Sequence, residues 1–216
     1  FTRIGREIII AVKESGPDPS TNSKLRAIIQ NAKAANMPKD NIERAIKNAS
    51  EKSTEDFKEI LLEGYGPHGI AILVEAATDN NNRTVANIRS YFNKCDGNLA
   101  TSGSVDFLFN HLCFFQIRDE GLDIEELELD LIDFGVTDLS KSESEISITA
   151  KFENFGSLQK ELERRKFDII SSEFEREAIT LKDLSEDEII KVEKLINMID
   201  EDDDVQNVYH NMKSDN

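Results

Sequence analysis

Apolar residues recur at helical spacing through roughly the first fifty residues of the chain. They fall three or four positions apart, which places one apolar stripe on each of three predicted helices. The first helix runs from Phe1 to Glu14, and the other two lie within Ser23–Ala49. Asn can leave a helix through the left-handed region, and Pro suits the first turn of a new helix. The sequence therefore predicts a helical hairpin with its break at Asn36-Met37-Pro38.

Beyond a polar linker at Ser50–Asp56 the pattern changes to the alternation that is typical of strands. Strands are predicted at Ile60–Glu63, Ile70–Ala76 and Val105–Phe109. A helix begins after Asn80, with one apolar face and Gly97 at its end. This part of the chain is predicted to have the order ββαβ.

A second set of alternating and helical patterns starts at Leu112. It predicts, in order, a strand around Phe115, a helix at Ile124–Phe134, a short strand near Val136, a strand at Ile146–Phe152, a helix at Phe155–Leu162 and a strand at Phe167–Arg176. The order βαββαβ is that of the ferredoxin-like unit.

The residues after Thr180 predict one helix and one strand. Ser185 and Glu188 form a capping box at the start of the helix, and the strand is Val205–Tyr209. One helix and one strand cannot close a core alone. We therefore expect them to complete the earlier ββαβ set.

The predicted fold class is α+β and multidomain. A three-helix N-terminal domain is followed by two ferredoxin-like α+β domains, the third inserted in the second. The predicted boundaries are 1–52 for the basic helical domain, 57–110 plus 180–216 for the discontinuous domain, and 111–179 for the inserted domain.

Charge is distributed unevenly along the chain. The net charge is −17, yet residues 1–52 hold ten Lys and Arg against six Asp and Glu, while the remainder holds sixteen against thirty-seven. Screening over about 8 to 10 Å lets a basic domain act locally in an acidic protein. Only two cysteines occur, and no apolar run is long enough to cross a membrane. These features predict a cytoplasmic protein without a membrane partner.

The basic residues of the helical domain are the candidate nucleic-acid contacts. They are Arg3, Arg6, Lys24, Arg26, Lys33, Lys39, Arg44 and Lys47. The alternative is a merely solubilising helix surface. The hairpin contains no aromatic residue for base stacking, so we expect contacts mainly to phosphate.

A second candidate is an anion site at the start of the helix after Asn80. Its residues are Asn80, Asn81, Asn82, Arg83 and Thr84. Free backbone N–H groups at a helix N-terminus bind anions. The alternative is ordinary capping, with Arg83 paired to a surface carboxylate.

The sequence predicts no catalytic residue, no metal site and no cofactor. The three histidines are scattered at positions 68, 111 and 210, and His111 with Cys113 supplies fewer ligands than a zinc site needs. The turn Gly64–Gly69 lacks the Gly-Lys-Ser/Thr ending of a phosphate loop. We therefore do not expect an enzyme.

Several blocks of the chain together resemble the YebC/PmpR family of probable transcriptional regulatory proteins. They are FTRIGREIIIAVKESGPDP, NSKLRAIIQNAKAANMPKDNIERAIK, LEGYGPHGIAILVEAATDNNNRT, GNLATSGSVDFLF and DDVQNVYHN. The resemblance implies a helical first domain, two α+β domains and a cytoplasmic bacterial protein. It also implies a Lys/Arg-rich segment before the first block, which the sequence does not include.

The resemblance implies two roles, DNA-binding regulation of transcription or ribosome-associated translation, including mitochondrial translational activation and synthesis of proline-rich stretches. The leading hypothesis is a non-enzymatic DNA-binding regulator that contacts phosphates through its basic helices. One alternative is a translation factor that binds RNA or the ribosome. A second alternative is an acidic scaffold that binds a protein partner through its α+β domains.

Overall fold

Three helices form the N-terminal region, in the places that the apolar spacing predicts. The computed structural model describes residues 1–51 and 56–214. The helices are α1 (Thr2–Ser15), α2 (Ser23–Ala34) and α3 (Lys39–Ser50). Their shared core consists of Ile8, Ala11, Val12, Leu25, Ile28 and Ala49. The predicted linker begins at a residue that is still helical, and residues 52–55 of it lie outside the described residues.

The turn between α2 and α3 has the backbone that its sequence predicts. Asn36 adopts a left-handed conformation with φ of 59°. The N–H of Met37 donates to the carbonyl of Ala32 at 2.9 Å, which closes the end of α2. Pro38 is predicted at the first helical position but is the N-cap residue of α3, which begins one residue later at Lys39. The two basic helices are therefore joined by a short, well-defined turn.

The rest of the chain contains both strands and helices. In chain order they are β1 (Lys58–Tyr65), β2 (Ala71–Thr78), α4 (Asn81–Lys94), β3 (Asn98–Leu99), β4 (Phe109–Arg118), α5 (Ile124–Leu131), β5 (Val136–Ser142), β6 (Glu145–Lys151), α6 (Phe155–Arg164), β7 (Ile169–Ala178), α7 (Glu186–Asp200) and β8 (Val205–His210). The strands form two four-stranded sheets, in the orders β3-β1-β2-β8 and β5-β6-β4-β7. The predicted α+β fold class is confirmed.

The described residues divide into two compact units. The first unit contains residues 1–51 and 111–175, and the second contains residues 56–110 and 176–214. The finer division into three domains at the predicted boundaries stays a prediction.

In the first unit, the sheet β5-β6-β4-β7 buries one face against α5 and α6. Alternate residues of β4 lie opposite alternate residues of β6 and are fully buried, as in the pair Phe115 and Ile148. Leu127 of α5 and Leu158 of α6 belong to the same apolar cluster. Ala27 of α2 also belongs to it. The basic helices and this sheet therefore share a core.

In the second unit, β2 is buried on both faces. Ile72 and Val74 pack with α4 and α7, whereas Ala71 and Leu73 pack in a separate cluster with Val105. The alternation that predicts this strand includes residues of only one face. Of the intervening residues, Ala71 and Leu73 are also apolar and buried, which is typical of a strand covered on both sides, whereas Glu75 is half-buried.

The predicted strand at Val105–Phe109 is wrong. Residues Asp106–Leu108 form a 3-10 turn, and the following strand, β4, begins at Phe109. The buried carboxylate of Glu63 accepts the N–H groups of Val105 at 3.0 Å and of Asp106 at 2.7 Å. Because these N–H groups are bound to a side chain, they are not available to a strand ladder. On the side away from β2, the partner of β1 is the two-residue strand β3.

Gly64 of β1 lies where a side chain has no room. A Cβ atom there would lie 2.7 Å from the ring of Phe92 and 2.8 Å from the carbonyl oxygen of Asn98. We expect Gly64→Ala to lower the free energy of unfolding by about 2 kcal/mol, because overpacking forces the ring or the strand to shift. Urea denaturation measures this change.

The matched control for this change is Gly5→Ala. Gly5 lies inside α1, with nothing within 4 Å of an added Cβ. Alanine there should raise the free energy of unfolding by roughly 0.5 to 1 kcal/mol through its higher helix propensity. Equal effects of the two substitutions would contradict the packing argument.

Candidate nucleic-acid interface

The basic helices are held in place by a buried asparagine. The side chain of Asn22 accepts the N–H of Leu25 at 3.0 Å and so caps α2. Its amide nitrogen donates to the carbonyls of Ala11 at 2.8 Å and of Gly16 at 2.9 Å. One side chain therefore fixes the end of α1 to the start of α2. The cations on these helices are presented by a defined framework.

Three predicted cations are exposed and available. Lys33 lies in the last turn of α2, and Arg44 and Lys47 lie one turn apart on α3. All three side chains are exposed, and none of them forms an ion pair with a described residue. Lysines in a last helical turn also interact favourably with the helix dipole, by about 0.3 to 1 kcal/mol. This modest stabilisation leaves the ammonium groups open to an anion.

Three other predicted cations have partners within the first unit. Lys24 pairs with Glu14 at 3.3 Å, and Lys39 pairs with Glu43 at 3.6 Å in a highly exposed pair. Ion pairs exposed to this degree contribute little and open easily. Lys24 and Lys39 can therefore exchange their carboxylate for another anion. The third, Arg26, is held more firmly.

The guanidinium of Arg26 is used inside the protein. It donates to the carbonyl of Pro19 at 2.7 Å and pairs with Glu163 of α6 at 3.1 Å. These contacts fix α2 to the loop before it and to α6. The Arg26 guanidinium is therefore bound within the protein and is not readily available to a phosphate. Of the two arginines on α1, Arg3 is exposed and Arg6 is half-buried.

The arginines of α6 are also neutralised internally. Arg164 and Arg165 both donate to Glu161. The hydrogen bonds from Arg164, and then those from Arg165, lower the pKa of Glu161 to about 2. Arg165 also pairs with Asp130 at 2.9 Å. These two arginines are therefore bound to carboxylates of the protein itself, in contrast to Lys33, Arg44 and Lys47.

Two residues of the second candidate site, Arg83 and Thr84, bind a carboxylate of the protein itself, whereas Asn81 and Asn82 are exposed. Arg83 pairs with Asp204 at 3.0 Å and with Asp79 at 2.9 Å. The hydroxyl of Thr84 donates to Asp204 at 2.7 Å. The side chain of Asn80 accepts the N–H of Arg83 at 3.1 Å, as a helix cap does. These contacts are those of the capping alternative, and Asp204 supplies the negative charge that the start of α4 attracts.

Sequence reasoning did not find two further exposed cations, Arg89 and Lys94 of α4. A signal for them is present in the sequence, because α4 carries three basic residues and no acidic one within the acidic part of the chain.

The described residues also bear on metal binding, membrane crossing and cysteine reactivity. Among them, no group of three or more His, Cys, Asp and Glu side chains is placed to hold a metal ion. Within the same ranges, every helix is too short or too polar to cross a membrane. Burial raises the pKa of the Cys113 thiol to about 11, so this cysteine stays protonated at neutral pH.

Comparisons with known proteins connect this geometry to a family. Residues 1–52 match the TACO1/YebC protein N-terminal domain, and residues 57–212 match the TACO1/YebC second and third domain. A Flavobacterium johnsoniae protein named probable transcriptional regulatory protein is 64% identical over 215 residues, covering 100% of this chain and 91% of the relative. A Parabacteroides distasonis protein of the same name is 53% identical over 216 residues, covering 100% of this chain and 89% of the relative.

A solved structure has the same fold. The crystal structure of the conserved hypothetical protein Aq1575 from Aquifex aeolicus matches with a TM-score of 0.78 and 38% identity. The match covers 99% of this chain and 88% of the Aquifex chain.

Proposed function

The chain belongs to the TACO1/YebC family, and from this premise we propose that it is a DNA-binding regulator of transcription that holds duplex phosphates with α2 and α3. Relatives at 64% and 53% identity carry the name probable transcriptional regulatory protein, which is not the name of an enzyme class. That name supports a role in regulation.

The observation that carries the proposal is the cluster of available cations on the basic helices. Lys33, Arg44 and Lys47 are exposed and form no ion pair with any residue that the structure describes. A chain with 43 acidic residues has many carboxylates that could pair with them. Cations that are left available in such a protein are well suited to an external polyanion, since each can replace a condensed counterion on DNA.

The proposed ligand is the phosphate backbone of a duplex. Neither α2 nor α3 contains an aromatic residue, so these helices lack the stacking platform with which proteins hold unpaired bases. Lysine recognises phosphate as a point charge and carries little base information. The proposed contact is therefore tight at low salt and weakly dependent on sequence.

Titration with salt tests the proposal. Binding of the protein to a duplex DNA of about 20 base pairs is followed by fluorescence anisotropy at several salt concentrations. Neutralising three phosphates predicts a slope of log K against log salt of about −2.7, and further contacts make it steeper. A flat response, or no binding at low salt, would contradict the proposal.

A duplex RNA and a single-stranded RNA of the same length serve as comparison ligands. The proposal expects either RNA to bind no more tightly than the DNA. Tenfold tighter binding of RNA would overturn the DNA assignment and favour a translation factor acting on RNA.

A second candidate function, a scaffold for a protein partner, is favoured by the outer surface of α5 and the turn after it. Leu129 is 72% exposed and Ile132 is 62% exposed, and the two are three residues apart. Glu125, Glu128 and Asp133 lie beside them in the sequence. Exposed apolar side chains among carboxylates fit a basic protein surface. Partners that remain bound after nuclease treatment would favour this candidate.

A further inference from the structure

Helix α4 has an unusual charge for its place in the molecule. It carries Arg83, Arg89 and Lys94 and no Asp or Glu. Outside residues 1–52 the chain holds thirty-seven acidic and sixteen basic residues, so an acid-free helix is out of keeping with its surroundings. Arg83 forms ion pairs with Asp79 and Asp204. The remaining two cations need a separate explanation.

Arg89 and Lys94 are exposed and form no ion pair with a described residue. Asp96 is exposed two residues beyond Lys94, but it makes no ion pair with a described residue either. The opposite side of α4 is fully buried through Ile88 and Phe92, which pack against β2 and α7. The helix therefore cannot rotate to bring other residues outward. Its cationic side is a fixed surface.

The exposed side of α4 also has the shape and donors of a contact surface. An open, shallow depression on this side of the helix is lined by Ala86, Arg89, Ser90, Asn93 and Lys94. The small side chain of Ala86 leaves room beside Arg89. Asn93 and Ser90 supply neutral hydrogen-bonding groups between the two cations. Amide, hydroxyl and guanidinium donors around a shallow depression are the groups that proteins use on phosphate and sugar oxygens.

We infer that this surface of α4, formed by Arg89, Ser90, Asn93 and Lys94, is a second contact for the phosphate backbone of duplex DNA, contributed by the second compact unit. The occupant follows from charge complementarity, because two available cations on an acid-free helix select an anion. The two aromatic residues of α4 are the buried Phe92 and the half-buried Tyr91, whose hydroxyl donates to Asp202 at 2.8 Å, so the helix presents no fully exposed ring for stacking. The contact is thus with the backbone of a duplex and not with unpaired bases.

This inference rests on the proposed function, since it concerns a second contact with the same class of ligand. On this inference, the second compact unit also takes part in binding DNA. It also predicts a steeper salt dependence than the three cations of α2 and α3 would give alone.

The double variant Arg89→Gln/Lys94→Gln tests the inference in the full chain. We expect affinity for duplex DNA at low salt to fall roughly tenfold, and the slope of log K against log salt to become less steep by about 1.8. The matched control is Lys191→Gln/Lys194→Gln on α7, where both lysines are exposed in the same unit. It changes the net charge equally, so it reports the effect of the overall field.

The control should change affinity less than twofold and leave the slope unaltered. Equal losses in the two double variants would overturn the inference, because the effect would then be one of net charge. Thermal unfolding by circular dichroism accompanies each measurement, and both variants should unfold within a few degrees of the parent.

A crosslinking measurement gives an independent readout. Ala86→Cys and, as a control on α7, Asn197→Cys each receive a thiol-linked photoreactive group; the two native cysteines are buried. Duplex DNA should crosslink at position 86 and not at position 197. Absence of a crosslink at 86 in a protein that binds DNA would overturn the inference while the proposed function stands. Absence of DNA binding by the parent protein would overturn the proposed function itself.

Discussion

Replacing Lys33, Arg44 and Lys47 together by glutamine is expected to weaken binding to duplex DNA about a hundredfold near 0.1 M salt. Each cation that neutralises a phosphate contributes about 0.9 to the salt slope, so three of them account for a slope change of about 2.7. The side chains are exposed and form no ion pair with a described residue, so their removal should leave the fold intact. Anisotropy titrations at several salt concentrations measure both quantities.

The matched control replaces three other exposed lysines of the first unit, Lys151, Lys160 and Lys166, by glutamine. The net charge changes by the same amount in both variants. We expect the control to lose less than threefold in affinity, with the parent's salt slope. If the control lost as much as the first variant, the basic helices would have no special role and the binding would reflect the overall field.

Replacing Glu63 by glutamine is expected to lower the free energy of unfolding by about 3 kcal/mol at neutral pH. One carboxylate oxygen accepts the N–H of Gly103, and the other accepts those of Val105 and Asp106. Glutamine offers one acceptor and one NH2 group, so a donor would face a donor in a site that is only 2% exposed. Hydrogen bonds to a charged group are each worth about 1.5 to 3 kcal/mol, and a buried unpaired donor adds a further cost. Urea denaturation measures the loss.

The pH dependence of this loss of stability distinguishes the contribution of the carboxylate's charge from that of the side chain's shape. Burial alone would raise the pKa of Glu63, but the hydrogen bonds from Gly103, Val105 and Asp106 outweigh it and lower the pKa below the ordinary value of 4.5. A lowered pKa in the folded state means that the ionised group stabilises the protein above pH 4.5 and that this contribution is lost on further acidification. We expect the difference in the free energy of unfolding between the parent and Glu63→Gln to shrink below about pH 4.5.

Glu59→Gln on the same strand is the control, because Glu59 is exposed. Its effect on the free energy of unfolding should stay within about 0.5 kcal/mol. A Glu63→Gln protein as stable as the parent would show that the carboxylate does not hold the segment from Gly103 to Asp106.

Elements whose cause is local were predictable from the sequence. The turn at Asn36 follows from the tolerance of asparagine for positive φ, and the capping box of Ser185 and Glu188 is present as its spacing predicts. The strand β6 alternates buried and exposed residues because one of its faces covers the core. In each case, neighbours within a few positions determine the backbone.

Features that depend on a distant partner were not predictable. The alternation of Val105, Phe107 and Phe109 is typical of a strand, yet Glu63, some forty positions earlier, binds the N–H groups that a strand would use. Phe107 is 68% exposed as a result. The periodicity of a segment shows which of its side chains are apolar. It contains no information about a carboxylate on another strand, such as that of Glu63, that binds the segment's backbone.

The candidate site shows the same limit. The sequence identifies Arg26 and Lys33 as equivalent cations on one helix. The structure pairs Arg26 with Glu163 of α6 and leaves Lys33 exposed. The positive charge of a basic helix can thus be predicted from the sequence. Which of its cations pair within the protein and which stay available depends on contacts between residues more than a hundred positions apart.

The pairing of β8 with β2 has a consequence for how the chain is made. Ile72 lies opposite His210, so one edge of β2 cannot acquire its partner until residues 79–204 have been synthesised. During that interval β2 can pair only with β1, and its other edge exposes backbone groups in a strand whose first four residues are all apolar. An unpaired apolar edge is a site of aggregation. Completion of this sheet is therefore a late event in biosynthesis, and any interruption of the chain before Val205 would leave a protein that associates with itself.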